Sequence, residues 1–134
     1  MQSEENSPGS PEDWMRRACS DLRLAKITPP PGVMLENLCF HAQQAAEKAI
    51  KAVLVFLNIP FAKTHSIRML IDLLPENYTL PEYIEEASRL TDYAVISRYP
   101  GYAEPVNEKE YHEAIYLADH VVSWAEKIIS REVQ

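Results

Sequence analysis

The sequence predicts an all-α fold, an up-and-down bundle of about five helices, and three observations lead there. Only three glycines occur in 134 residues, too few for the many tight turns of an all-β chain. Ten prolines stand at Pro8, Pro11, Pro29, Pro30, Pro31, Pro60, Pro75, Pro81, Pro100 and Pro105, so they punctuate the chain and leave long runs in which a helix can form. Within those runs apolar residues recur at spacings of three and four, the period of one helical face.

The length fits one domain. Residues 1–11 are polar and rich in Ser, Glu and Pro, which reads as a flexible tail ahead of a helical domain over 12–131. Helix one is expected from Glu12 to about Ile27, with Trp14, Ala18, Leu22 and Ala25 on one face and the run Thr28-Pro-Pro-Pro-Gly32 breaking it. Helix two is expected from Val33 to about Asn58. Its apolar stripe is Leu35, Leu38, Cys39, Ala42, Ala46, Ala49, Ile50, Val53 and Leu57, and its alanines let a neighbour approach closely while keeping helix propensity high. That pattern suits the centre of a bundle. Helix three is short, His65 to Leu74, with Thr64 as N-cap and Ile67, Leu70, Ile71 and Leu74 inward. Helix four is expected to run unbroken from Pro81 to about Ile96, with Glu82, Glu85 and Glu86 favouring its start. Helix five spans Asn107 to Arg131. Tyr111, Ala114, Ala118, Val121, Ala125 and Ile128 form its seam, with two further apolar rows beside it, a stripe wide enough to face both the core and a second subunit.

The net charge of −7 argues against a broad nucleic-acid surface, which needs basic groups to displace counterions, but leaves room for a small basic pocket. Cys19 and Cys39 fall inside helical patterns without metal-ligand spacing, so they read as buried, reduced thiols. No apolar run approaches membrane-spanning length, and the N-terminus with Glu4 and Glu5 lacks the basic-then-apolar pattern of a leader. The expectation is therefore a cytoplasmic protein with no membrane partner, no cofactor and no metal.

Three places can carry chemistry. On helix two, Asn37, His41, Gln44 and Lys48 share a face apart from the apolar stripe. An imidazole, an amide and an ammonium together can hold a phosphate or a base edge, or else form a solvated face. Gln43 and Glu47 lie on another flank and call for no function. Lys63-Thr64-His65 stands at a helix start, where free N–H groups favour anions, although Thr64 as a simple cap explains it too. In the loop before helix five, Arg98 beside Tyr99 and Pro100 can pair a phosphate and stack on a base, or hold the loop through Asp92 or backbone carbonyls. There is no glycine-rich phosphate loop and no serine elbow, and His112, Asp119 and His120 have poor metal spacing and read as solvated.

These residues give the chain a resemblance to the HEPN family (higher eukaryotes and prokaryotes nucleotide-binding) across roughly residues 12 to 130. The resemblance rests on Trp14 with Asp21 and Leu22, on the string FHAQQAAEKA from Phe40 to Ala49 followed by Lys51 and Ala52, on Thr64-His65, and on Arg98-Tyr99-Pro100. The helix-two string is the specific part, since helix propensity does not require two glutamines followed by Ala-Ala-Glu-Lys.

The resemblance implies a five-helix bundle that pairs as a homodimer with a groove near the dimer interface. Many prokaryotic relatives sit beside a minimal nucleotidyltransferase, often as a toxin–antitoxin pair. Others are metal-independent ribonucleases with an Arg-x4–6-His motif, whose histidine serves as acid or base while the arginine holds the scissile phosphate. This chain departs from that motif. Arg98 matches the arginine, but Ala103, Glu104 and Pro105 occupy the histidine positions, and the next histidine, His112, lies fourteen residues on. Glu104 or Tyr102 is a poor substitute, a carboxylate repelling the phosphate it would serve. The expectation is a module that holds a nucleotide or RNA phosphate through Arg98 and Tyr99, with Lys48, His41, Gln44 and His65 around them, and has no catalytic residue. The rival readings are a ribonuclease rearranged around Arg98 and an interaction module without a ligand.

Overall fold

Helix α1 (Pro11–Lys26) opens on a built cap. Ser10 Oγ accepts the Asp13 amide at 3.1 Å, Pro11 occupies the first helical position, and Glu12 and Asp13 stand at the positive end of the dipole. The helix therefore begins one residue before the expected Glu12. Proline lacks an N–H that would be orphaned there anyway. The structure, a computed structural model, describes residues 7–76, 80–95 and 105–131, and among them all regular structure is helical.

Helix α2 (Leu35–Phe56) is shorter at both ends than the expected Val33–Asn58. It stops because Asn58 turns left-handed at φ +60°, and Ile59 N donates back to Leu54 O at 2.9 Å, the closure of a Schellman motif. Ala42, Ala45, Ala46, Ala49 and Ala52 are fully buried, as are Ile50 and Val53. These small side chains let α2 serve as the axis against which α1, the last helix and most of the short elements pack.

Helix α3 (Ile67–Ile71) is half the expected length, and its cap is Ser66 rather than Thr64. Ser66 Oγ accepts the Met69 amide, while Thr64 Oγ1 accepts Ser66 N one step earlier. Ile67, Leu70 and Ile71 face inward as expected.

The single helix expected from Pro81 to Ile96 is three pieces: α4 (Glu82–Glu86), a 3-10 turn (Ala87–Thr91) and α5 (Asp92–Val95). The buried side chains Ile84, Ala87 and Leu90 are spaced by three, which a helix of three residues per turn stacks in line and an α-helix does not. Two side chains accompany the tightening. Ser88 Oγ donates to Glu85 O, and Thr91 Oγ1 accepts Ile67 N from α3.

Helix α6 (Glu108–Arg131) starts on a reciprocal box, with Asn107 Oδ1 accepting Glu110 N at 2.8 Å and Glu110 Oε1 accepting Asn107 N at 3.4 Å. Val106 N donates to Glu36 Oε1 at 2.6 Å and Tyr111 Oη donates to Ala25 O at 2.7 Å, so α6 runs parallel to α2 and antiparallel to α1. Its wide apolar stripe is used within the chain: α2, α1, α4 and the 3-10 turn all pack on it. A second subunit is not needed to explain that width. Among the described residues no helix is long and apolar enough to cross a membrane.

Candidate ligand-binding strip on helix α2

Asp21 of α1 reaches across to α2 and holds two cationic or titratable side chains at once. Its Oδ1 lies 3.1 Å from His41 Nδ1 and its Oδ2 lies 2.6 Å from Lys48 Nζ. A carboxylate only accepts, so His41 Nδ1 carries the proton of that bond and Nε2 is left to meet a ligand. The Lys48 ammonium spends one of its three donors on Asp21. The His41 and Lys48 side chains are 32% and 25% exposed, against 13% for Asp21, so the clasp lies beneath and the free donors lie above it.

One flank over, a second carboxylate does the same deeper in the protein. Glu47 Oε1 receives Gln43 Nε2 at 2.8 Å and His65 Nδ1 at 2.9 Å, and its Oε2 receives Lys51 Nζ at 2.8 Å. Lys51 also lies over Trp14 and Phe61, 5.4 and 5.7 Å from the ring centroids, a cation–π cover that sequesters the ammonium from water. Gln43 and Glu47 are buried, which corrects the reading that this flank needs no role. Sequence offered one signal, the i, i+4 run Gln43, Glu47, Lys51, but the same run appears on any solvated helix face.

The structure thus divides the expected site residues between two neighbouring networks. His41 and Lys48 belong to the Asp21 clasp. His65 belongs to the Glu47 network, and Gln44 joins it by donating to Gln43 Oε1 at 2.8 Å. His65 precedes α3 rather than sitting in its first turn, and the two amides that follow it, Ser66 N and Ile67 N, are taken by Thr64 Oγ1 and Thr91 Oγ1. Arg98 and Tyr99 lie outside the described residues. The described residues flanking that segment meet the start of α2: α5 packs on α2, and Val106 is bonded to Glu36, about one and a half turns from His41. Asp21, which entered only through the family resemblance, is a member of this cluster that spacing within α2 could not reveal, because it arrives from another helix.

Other reactive groups are muted. Burial pushes the Cys39 thiol up to about 12, with Glu36 and Glu110 adding to it, and burial likewise raises Tyr93 to about 12. Neither ionises near neutrality, so neither serves as a nucleophile there. Cys19 is raised by burial and by its bond to Glu126. His120 is half-buried rather than solvated, its Nδ1 donating to Tyr116 O at 2.8 Å and its ring lying against Tyr83 and Tyr116. No group of three His, Cys, Asp or Glu gathers as a metal site among the described residues.

With this geometry in place, comparison with known proteins gives the chain its relatives. No curated protein matches it. Among solved structures it is similar to TT1696 from Thermus thermophilus, with 33% identity over 89% of this chain and 98% of that one and a TM-score of 0.77. It is also similar to ST0689, an archaeal HEPN homologue, with 31% identity over 90% of this chain and 98% of that one and a TM-score of 0.69. The family model of the HEPN domain matches residues 11–128, from the first residue of α1 to the last turns of α6. The chain belongs to the HEPN domain family.

Proposed function

We propose that this HEPN protein binds a phosphate-bearing ligand, a nucleotide or an RNA phosphate, without cutting it. It does so as a homodimer and as the partner of a minimal nucleotidyltransferase, in a toxin–antitoxin-like pair. Arg98 and Tyr99 supply the phosphate and base contacts, and His41, Lys48, Gln44 and His65 flank them.

The observation that supports this reading is the Asp21 clasp. It fixes His41 and Lys48 in place before any ligand arrives, so little side-chain freedom is lost on binding. Both remain partly exposed, with donors to spare. The missing histidine after Arg98 supports holding over cleaving, and membership of the HEPN family supports the partnership.

Calorimetric titration with ATP, GTP and a short RNA tests the binding. Heat is expected with at least one of them, falling about tenfold or more in affinity for Arg98→Ala and less for Lys48→Ala. No heat up to millimolar ligand removes nucleotide binding and leaves the interaction module. A second reading, a rearranged ribonuclease, draws on one feature: Asp21 orients His41 as a carboxylate orients a general base. In the same samples it requires RNA shortening that His41→Ala abolishes, and intact RNA after hours ends it.

A further inference from the structure

Of the side chains on the α2 strip, Gln44 is the one that carries both a strong donor and a strong acceptor, so its amide can in principle turn either toward a ligand. Its neighbours remove that choice. Gln43 is fully buried, and its Nε2 donates to Glu47 Oε1 at 2.8 Å and to the His65 carbonyl oxygen at 3.4 Å. A carboxylate and a carbonyl only accept, so the amide nitrogen of Gln43 lies on their side and its Oε1 is turned toward Gln44. Gln44 Nε2 donates to that oxygen at 2.8 Å.

The two amides therefore form a relay with one direction. Turning the Gln44 amide over would set its oxygen against Gln43 Oε1, acceptor against acceptor. Turning both over would move the conflict inward, to Glu47 and the His65 carbonyl, where burial makes an unmet acceptor costly. What remains for a ligand is Gln44 Oε1. That oxygen has no hydrogen-bond partner among the described residues, and the Gln44 side chain is only half-buried.

We infer that Gln44 reads the base of the ligand and selects a nucleobase with an exocyclic amino group, adenine or cytosine. The inference rests on the reading of this strip as a nucleotide or RNA site, and it names the bases that site accepts. Adenine N6 and cytosine N4 present donors, whereas guanine and uracil carry a keto oxygen at the same ring position. A fixed acceptor bonds the first pair and opposes the second. A ribose hydroxyl donates or accepts as its partner requires, so a fixed acceptor does not discriminate there. Gln44 stands four residues before Lys48 on one helical face, a rise of about 6 Å. That rise suits a base at Gln44 with its phosphate near the spare donors of Lys48. Gln43 and Glu47 touch no ligand and act through Gln44 as positioning residues.

Calorimetric titration of the full chain with ATP, ITP, CTP and UTP tests this, with tripolyphosphate as the probe that lacks a base. ATP and ITP differ at the purine 6-position, amino in one and keto in the other, and CTP and UTP differ likewise at the pyrimidine 4-position. ATP is expected to bind about tenfold tighter than ITP, and CTP about tenfold tighter than UTP. Gln44→Met removes the acceptor and should bring both ratios close to one. Gln43→Met frees the Gln44 amide to turn, so both ratios should fall to about twofold. A merely structural role for Gln43 would weaken all four nucleotides alike and leave the ratios where they were, which overturns the relay. Circular dichroism with thermal melting establishes that each variant folds, and if Gln43→Met does not, Gln44→Met at its half-buried position carries the test. Equal wild-type affinities for ATP and ITP overturn the proposal alone, because binding of either still supports a phosphate site. A tenfold ratio that survives Gln44→Met also overturns it, since another group then reads the base. No heat from any nucleotide or from tripolyphosphate overturns the proposal together with the nucleotide reading.

Discussion

Asp21 and Glu47 share two kinds of partner, and Glu47 adds a third in Gln43. Each carboxylate takes one histidine Nδ1 and one lysine Nζ, at 3.1 and 2.6 Å for Asp21 and at 2.9 and 2.8 Å for Glu47. Their surroundings differ. Glu47 and Lys51 are 3% and 9% exposed, with Gln43 buried between helix and loop and two aromatic rings over the ammonium, whereas Asp21 and Lys48 are 13% and 25% exposed. Depth decides what each cluster is for. In the buried cluster the Lys51 ammonium gives a donor to Glu47 and lies against two aromatic rings, only His65 reaches solvent, and the cluster fastens α1 and the Phe61–His65 segment to α2. In the shallower cluster spare donors face outward, and fastening two helices leaves capacity to bind something else.

The largest effect that would break this distinction is at Glu47. Glu47→Ala strands the Lys51 ammonium without a counter-charge, and chemical denaturation is expected to record a loss of about 3–5 kcal/mol. Replacing the pair together, Glu47→Leu with Lys51→Met, is expected to regain much of that loss, because breaking a buried pair costs more than the pair contributes. If Glu47→Ala costs no more than the Asp21 variant below, the two sites do not differ in kind.

The next effect sharpens the comparison. Asp21→Asn is expected to lower stability by about 1 kcal/mol, since water screens the charges it releases. It also loosens the clasp that holds His41 and Lys48 in place, so calorimetry should find phosphate ligands bound about threefold more weakly. Glu47→Gln should leave that affinity unchanged. Equal responses at both positions would contradict a ligand strip on the Asp21 side.

The smallest effect concerns a third carboxylate. Asp13 accepts the Gly9 amide at 2.9 Å, and that bond, followed by those from Arg16 and Arg17, holds its pKa below 3.8 against the opposing pull of burial. A depressed carboxylate contributes stability that is complete above its unfolded value and fades as pH falls through its folded one. Asp13→Asn is therefore expected to melt a few degrees lower near neutrality, with the gap closing below about pH 4. A gap that persists in acid would assign the effect to packing instead.

The three long helices were legible in the sequence because each buries a stripe at helical spacing and is bounded by proline or a polar cap. The fourth element was misjudged because Ile84, Ala87 and Leu90 satisfy an α-helical face and a 3-10 column alike over so short a span, and the bond from Ile67 N to Thr91 Oγ1 comes from elsewhere in the chain. The strip on α2 was legible in part. His41, Gln44 and Lys48 announce themselves by shared phase, but the groups that govern them do not. Asp21 lies twenty residues from His41 and twenty-seven from Lys48, and nothing within one helix reveals which carboxylate a neighbour presents. Gln43 and Glu47 look like solvent-facing residues until Phe61 and His65 fold over them.

Helix α2 carries five alanines with no exposed surface, Ala42, Ala45, Ala46, Ala49 and Ala52. Spaced along its whole middle, they mean the spine of the bundle already uses about the smallest side chain a helix tolerates, so mutation there has room in one direction and that direction is blocked by neighbours. Substitutions that keep the fold are therefore confined to the rims of α2, among them the positions of His41, Gln44 and Lys48.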